Sequence, residues 1–220
     1  MFLGPPGAGK GTQAQILASR LRAAHLASGE VFREAILRKT PLGRRVERIV
    51  RSGKLVPDEL ATAVILERLK RLKGPDGFIL DGFPRTRAQA VALDRHLTAP
   101  GGKLTSAFWF LVRDGVIVRR LSARLQCIVC RDVFNLLTRP PRKAFRCDRC
   151  GGRLARRLDD EPRVVRRRLQ VFHRTARPLL AYYRRRGVLL RVNGERGIRA
   201  IQSTLVSSIR KLRTRRSGSS

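Results

Sequence analysis

The sequence predicts an α/β fold, in which a parallel five-stranded sheet is flanked by helices. Three observations support this prediction. A glycine-rich turn, Gly4–Thr12, stands between a short apolar run and a helix. Apolar runs alternate with segments of helical periodicity along the chain. One of those runs, Phe78–Leu80, is followed directly by Asp81, as expected for a buried parallel strand that delivers a carboxylate at its carboxyl end.

The first half of the chain begins with a strand at Met1–Leu3. A helix follows the glycine turn, because apolar residues from Leu17 to Ala24 recur at helical spacing. Short helices are predicted within 28–56, where apolar residues again fall at helical intervals. Pro57–Glu59 favours a helix start, because proline fixes φ there and carboxylates interact well with the helix dipole.

The second half continues the alternation of strands and helices. Its predicted elements are helix Arg87–Leu97, strand Ala107–Val112, a cysteine segment, a long basic helix with an apolar face from Val165 to Tyr183, strand Val188–Val192 and helix Ile198–Leu212. Residues 213–220 are predicted to be a disordered basic tail. Only three residues precede Gly4, so either the protein begins upstream of this sequence or its central strand is shortened.

Composition favours a folded protein with a strong attraction for polyanions. Of 220 residues, 42% are hydrophobic, and 49 Lys and Arg against 16 Asp and Glu give a net charge of +33. Such a field attracts nucleotides, nucleic acids and anionic membranes, although a general preference for arginine would give the same number. No apolar run approaches the ~20 residues of a membrane span, and no secretory pattern is present, so a cytoplasmic protein is expected.

The glycine-rich turn predicts a phosphate-binding site. Its glycines let backbone N–H groups approach phosphate oxygens, and Lys10 adds a full positive charge at a helix N-terminus. The alternative is an ordinary strand–helix turn. Gly11 stands where the common phosphate-loop pattern has the Ser or Thr that ligates magnesium, so this role is predicted to pass to Asp81. The alternative role for Asp81 is to initiate the turn before Gly82.

The four cysteines form two Cys-x-x-Cys pairs within a 24-residue window. The pairs are Cys127 with Cys130 and Cys147 with Cys150. This spacing predicts a structural zinc site with four thiolate ligands and no open position for catalysis. Disulfides are the alternative, and a chain without a secretory pattern disfavours them.

Motifs in a fixed order run along nearly the whole chain. They are Gly4–Gln13, Ser28–Arg33, Gly53–Val56, Asp81–Thr86 with Gln89, Arg120 and Arg124 before the cysteines, Arg157–Asp160 after them, Arg168, and Val192–Gly194. In type, order and spacing they resemble the adenylate kinase family, in its bacterial form with a long zinc-binding lid. Ser28 and Glu30 replace the more usual Thr and Asp of that family.

The resemblance implies a P-loop nucleoside monophosphate kinase fold that transfers a phosphoryl group reversibly, ATP + AMP = 2 ADP, with Mg²⁺ on ATP and structural Zn²⁺. It implies a core at 1–26, 57–119 and 159–212, an AMP-binding domain at 27–56 and a lid at 120–158. The ATP-binding residues would be Gly7, Ala8, Gly9, Lys10, Gly11, Thr12, Arg120, Arg124, Phe134 and Arg196. The AMP-binding residues would be Ser28, Arg33, Lys54, Leu55, Val56, Gly82, Phe83, Pro84, Arg85, Gln89, Arg157 and Arg168. The catalytic residues would be Lys10, Asp81, Arg85, Arg124, Arg157 and Arg168.

Several alternatives stay open at this point. Arg119 replaces Arg120 if the alignment shifts by one residue. The monophosphate could be UMP, CMP or GMP, although the long cysteine lid and Gln89, whose amide can pair with the adenine edge, favour AMP. A kinase-derived nucleic-acid-binding protein also fits the zinc segment and the basic charge. The expected partners are ATP and AMP, bound by a monomer.

Overall fold

The strands form one parallel and one antiparallel sheet. In the computed structural model, which describes residues 1–72, 77–99 and 102–217, the strands are β1 (Phe2–Leu3), β2 (Ala24–Ala27), β3 (Phe78–Asp81), β4 (Ala107–Leu111), β5 (Arg124–Cys127), β6 (Val133–Asn135), β7 (Leu154–Ala155) and β8 (Leu189–Asn193). The main sheet has the order β2-β3-β1-β4-β8 with every pairing parallel. The small sheet has the order β6-β5-β7 with both pairings antiparallel. The prediction of a parallel five-stranded sheet is confirmed.

Helices cover both faces of the main sheet. They are α1 (Lys10–Leu21), α2 (Ser28–Leu37), α3 (Pro41–Arg51), α4 (Asp58–Lys70), α5 (Arg87–Thr98), α6 (Asp114–Ser122), α7 (Pro162–Arg185) and α8 (Ile198–Ser217). Phe2 packs in one apolar cluster with α1 and α8, while Leu3 packs in another with α4, α5 and α7. Neighbouring strand residues point to opposite faces, so the two clusters are the two interlayer cores.

The short strand β1 lies at the centre of the sheet. Phe2 is in register with Asp81 of β3 on one side and with Phe108 of β4 on the other. Because carboxyl ends of parallel strands meet at one edge of a sheet, the glycine turn after Leu3 emerges beside Asp81. The topology alone thus brings together the two features that the sequence marks as functional.

The region after α1 differs from the prediction. Apolar spacing carried the first helix to Ala24, but α1 ends at Leu21 and Ala24–Ala27 pairs with β3 as an edge strand. Arg22 has φ 51° and its backbone N–H donates to the carbonyl of Ala18, which closes the helix. Glycine usually takes this left-handed position, so an arginine there gives no sequence signal.

The end of the chain also differs. The last helix was predicted to stop at Leu212, before a disordered tail at 213–220, but α8 continues to Ser217. No glycine or proline occurs between Leu212 and Ser217 to end the helix. The remaining tail residues, 218–220, lie outside the described residues. None of the described helices has the length and hydrophobicity needed to span a membrane.

Candidate active site

The glycine turn forms the floor of a cleft of about 900 Å³. Gly7 has φ +78°, and a Cβ there would lie 2.8 Å from the Leu121 side chain, so only glycine fits. Lys10, the first residue of α1, donates from Nζ to the carbonyls of Gly4 (2.8 Å) and Pro5 (2.7 Å). The ammonium group is therefore held within the turn, at the helix N-terminus.

The Asp81 carboxylate lies against the first turn of α1. A Cβ on Gly11 would be 3.2 Å from Asp81 Oδ2. A side chain at position 11 would therefore lie in close contact with this carboxylate. The acid and the turn share one site, as the sequence predicted from Asp81 at the end of a strand.

The pKa of Lys10 is lowered to about 8, and burial is the main cause. The charge of Asp81 opposes this shift, whereas Arg85 and other nearby arginines reinforce it. A buried ammonium beside several guanidinium groups is stabilised by any polyanion that enters the cleft.

Five arginines converge beside the turn: Arg33, Arg85, Arg124, Arg157 and Arg168. The pKa of Arg85 is lowered to about 10, mainly by burial and also by the positive charge of Arg168. Burial also lowers the pKa of Arg157 well below its usual value, with a further contribution from Arg124 and Arg33. Guanidinium groups keep their charge near neutral pH, so this cluster is a strong anion-binding site.

Two aspartates hold the arginines in place. Asp160 accepts bidentate hydrogen bonds from Arg124, with Nε at 2.7 Å from Oδ2 and a short contact from Nη2 to Oδ1. Arg168 Nη1 lies 3.0 Å from Asp159 Oδ2 and donates to the Asp159 carbonyl at 2.8 Å. Arg33 reaches the same Asp159 carboxylate at 3.7 Å. The carboxylates of Asp81, Asp159 and Asp160 against five guanidinium groups and Lys10 leave this cluster with a net positive charge.

A second, smaller cavity of about 60 Å³ adjoins the cleft. Ten of the twelve predicted AMP-binding residues line it: Ser28, Arg33, Lys54, Leu55, Val56, Gly82, Phe83, Arg85, Gln89 and Arg168. The other two, Pro84 and Arg157, line the large cleft. Arg33, Arg85 and Arg168 border both cavities, so the guanidinium cluster stands where the two meet.

Gln89 is fixed at one end of the small cavity. Its Oε1 accepts from the backbone N–H of Arg85 at 2.8 Å, and its Nε2 donates to Asp58 Oδ1 at 2.8 Å. The other oxygen of Asp58 accepts from the Thr86 hydroxyl, also at 2.8 Å. These bonds fix which end of the amide is the donor and leave one N–H of Gln89 for another partner.

The ten predicted ATP-binding residues all line the large cleft. Arg120 donates from Nη1 to the Gly194 carbonyl at 2.8 Å, whereas Arg119 is exposed on α6, so the structure places Arg120 at the site. Arg196 is exposed at the rim. Phe134 is fully buried in the small sheet, and the Arg139 guanidinium lies 4.7 Å from its ring centroid.

The four cysteine sulfurs form a compact group. All lie within 4.8 Å of one another, with Cys127 and Cys150 at 3.5 Å and Cys130 and Cys147 at 3.5 Å. A tetrahedral zinc ion with Zn–S bonds of about 2.3 Å needs S···S separations of about 3.8 Å. Burial raises the pKa of the Cys127 thiol, but backbone N–H groups of Cys130 and Val129 outweigh it and lower the pKa to about 7. The donor set fits zinc.

Some functional residues were not predicted. Asp58, Asp159 and Asp160 orient the predicted residues, and Arg139 covers Phe134. Asp159 and Asp160 belong to the Arg157–Asp160 motif, and two adjacent acids in so basic a chain were a further signal. Nothing near Asp58 in the sequence indicates that it contacts a side chain 31 positions away.

Comparison of the chain with known proteins and with family models identifies one family. A family model described as adenylate kinase matches residues 2–188. An adenylate kinase from Syntrophomonas wolfei is 44% identical over 197 residues, which is 90% of this chain and 92% of that protein. One from Thermosipho melanesiensis is 44% identical over 211 residues, 96% and 99% of the two chains. One from Archaeoglobus fulgidus is 38% identical over 214 residues, 97% and 99%.

Proposed function

The chain belongs to the adenylate kinase family, and we propose that it catalyses reversible phosphoryl transfer between ATP and AMP. The observation that carries this proposal is the guanidinium cluster at the junction of two adjoining cavities. Phosphoryl transfer needs two nucleotides held in line and charge stabilised on the equatorial oxygens. Arg33, Arg85 and Arg168 border both cavities, so they can contact a group that passes between them.

The large cleft holds ATP. Backbone N–H groups of the glycine turn and the Lys10 ammonium receive the phosphates, while Arg120 and Arg124 approach from the α6–β5 side. Asp160 orients the Arg124 guanidinium through two hydrogen bonds. A guanidinium fixed in this way loses little side-chain entropy when it binds an anion.

The small cavity holds AMP. Ser28, Gly82 and Gln89 take the nucleoside, and Arg33 and Arg85 take its phosphate. Ser28 Oγ already donates to the Gly82 carbonyl at 2.7 Å, so its hydroxyl can only accept from a ligand. A cavity of about 60 Å³ is smaller than a nucleotide, so AMP binding requires 27–56 to move away from the core.

Asp81 positions the magnesium ion that travels with ATP. Its carboxylate lies beside the glycine turn, and no hydroxyl stands at position 11 to ligate the ion directly. When bound with ATP, the ion would supply positive charge that stabilises the phosphates. Asp81 would be the residue that holds it beside the glycine turn.

Residues 120–158 form a lid that zinc stabilises. Cys127, Cys130, Cys147 and Cys150 hold the ion in a closed four-thiolate site, which leaves it no catalytic position. Only five buried residues, Leu125, Cys127, Phe134, Cys147 and Leu154, make up the apolar core here. So small a core needs the metal to stay folded.

Competition among nucleoside monophosphates tests the proposed function. With ATP, Mg²⁺ and equal amounts of AMP, UMP, CMP and GMP, we expect AMP to be converted first. Faster loss of UMP, CMP or GMP would reassign the substrate. No conversion of any monophosphate would overturn the proposal of kinase activity.

A further inference from the structure

Helix α7 carries a row of arginines along its outer face. We call Arg163, Arg166, Arg167, Arg174, Arg177, Arg184 and Arg185 the arginine stripe; all seven are exposed. At 100° per residue they fall within an arc of about 100°. Val165, Leu169, Ala176, Leu179 and Tyr183 are buried on the opposite side of the same helix. The stripe therefore faces away from the core.

The positive charge of the stripe is almost uncompensated. Helix α7 contains no Asp or Glu. Among the described residues, Glu161 is the only carboxylate within 4.0 Å of a stripe guanidinium, at 3.5 Å from Arg163. Some exposed helical arginines elsewhere have acidic partners, such as Arg38 with Glu34 and Arg51 with Glu47. Other exposed helical arginines have none among the described residues, so what distinguishes α7 is that seven exposed arginines share one face of a helix without acids.

The length of the stripe matches one turn of a nucleic-acid duplex. From Arg163 to Arg185 it extends roughly 33 Å at 1.5 Å per residue. One turn of a duplex measures about 34 Å and presents phosphates along this whole distance. Each guanidinium can bind a phosphate in bidentate fashion.

Two other polyanions fit less well. Proteins that bind single strands stack bases on aromatic side chains, and no stripe residue is aromatic. A helix that binds a membrane surface inserts apolar side chains, but the apolar face of α7 is buried in the protein core.

We propose that the arginine stripe of α7 binds the phosphate backbone of double-stranded nucleic acid, DNA or RNA, without reading its sequence. The stripe lies on the side of α7 opposite Arg168, which faces the cleft. Duplex binding and nucleotide binding therefore occur at separate sites, and the full chain can do both.

Fluorescence anisotropy with labelled duplexes of about 20 base pairs, nearly two helical turns, tests this proposal. The full chain should bind duplex DNA and duplex RNA, and saturating ATP or AMP should not displace either. Affinity should fall steeply with salt, with a log–log slope of about −0.9 for each phosphate contacted on DNA. Absence of binding at low salt, or displacement by ATP or AMP, would overturn the proposal.

A matched pair of triple variants locates the binding surface. The stripe variant replaces Arg174, Arg177 and Arg184 with Gln and removes three stripe charges. The control variant replaces Arg20, Arg210 and Lys211 with Gln and removes three exposed charges from α1 and α8, on the other face of the sheet. The first variant should reduce the salt slope by about 2 to 3 and weaken duplex binding at least about 30-fold. The second should change binding less than about threefold.

Kinase activity, measured on both variants, reports whether each is folded. If the stripe triple variant fails to fold, the single variants Arg174→Gln and Arg177→Gln should each reduce the slope by about 1. Equal loss of binding in the stripe and control variants would assign binding to overall charge and contradict the proposal. If the chain binds phosphatidylserine vesicles more tightly than duplex, and this binding depends on the stripe, the stripe is a membrane-binding surface and the proposal is wrong.

Discussion

Lys10 illustrates how single residues at the site are adjusted by their surroundings. Burial and nearby guanidinium groups lower its pKa to about 8, against the opposing charge of Asp81. A lowered pKa means that the side chain loses its proton at a lower pH, so about half of the cation is lost at pH 8. This gives the free protein a pH dependence that an ordinary lysine would not have.

We therefore expect kcat/KM for ATP to fall as the pH rises through about 8, because kcat/KM reports the ionisation of the free enzyme. The measurement is a pH profile from steady-state rates at AMP concentrations well below the KM for AMP. The Lys10→Arg variant, which keeps its charge, should have a flat profile in the same range whatever its absolute rate. A wild-type profile that stays flat beyond pH 9 would contradict the shifted pKa.

Asp58 is expected to set the strength of AMP binding through Gln89. The Asp58 carboxylate accepts hydrogen bonds from the Gln89 amide and the Thr86 hydroxyl. Asp58→Asn replaces this charged acceptor by a neutral amide, one end of which is a hydrogen-bond donor. Loss of a charge-assisted hydrogen bond is worth about 1.5–3 kcal/mol, so KM for AMP should rise about tenfold or more while KM for ATP stays within about twofold.

Glu59→Gln is the matched control for this test. Glu59 is the next residue, it is exposed, and the same charge is removed. Its KM for AMP should be unchanged. Equal KM values for AMP in the wild type and Asp58→Asn would show that Gln89 does not depend on Asp58.

The local motifs of the site could be predicted from the sequence, but the residues that support them could not. The glycine turn, Lys10 and Asp81 are close in sequence to the elements that position them. Asp58 contacts Gln89 from 31 positions away, and Asp160 contacts Arg124 from 36 positions away. Such pairs depend on how the chain folds back, which spacing alone does not encode.

At the scale of elements, the small antiparallel sheet β6-β5-β7 depends on the cysteine cluster more than on apolar packing. Two of its five buried core residues are themselves cysteines. We infer that a metal ion held by this cluster would couple its binding to the folding of the segment. The main sheet, with its two larger apolar clusters, does not share this dependence.

We expect Cys147→Ser to destabilise 120–158 while the main sheet stays folded. Trypsin should cleave the variant within this arginine-rich segment at least about tenfold faster than the wild type, since local unfolding exposes the backbone. Metal analysis of the wild type should find about one zinc per chain. Unchanged cleavage, or no bound metal after reductive purification, would contradict the zinc site.

Element boundaries were predictable where capping residues have a strong signal. Pro57 and two acids indicated α4, and its start at Asp58 agrees. Strand β2 was not predicted because Arg22 takes a left-handed conformation without glycine. The continuation of α8 to Ser217 was missed because a run of basic and small polar residues resembles a tail. Local sequence preference does not determine the secondary structure of such segments.

At the scale of the whole molecule, a net charge of +33 makes like-charge repulsion a significant term in stability. At 0.1 M salt, exposed charges more than about 10 Å apart are largely screened from one another. We expect the melting temperature to rise by several degrees between about 0.05 and 0.5 M NaCl, at about 2–4 °C per kcal/mol for a chain of this size. Calorimetry across this range provides the measurement, and a falling melting temperature would show that ion pairs outweigh the repulsion.

The guanidinium cluster between two cavities is the centre of the proposed function. The most direct test is the stoichiometry and rate of ADP formation, followed by phosphorus NMR with ATP, AMP and Mg²⁺. We predict two ADP for each ATP and AMP consumed, and a rate about 10²–10³-fold lower for Arg168→Lys, whose single ammonium cannot replace a bidentate guanidinium. Loss of ATP without loss of AMP would contradict the proposed transfer between the two nucleotides. An Arg168→Lys rate equal to that of the wild type would contradict the role of the guanidinium cluster.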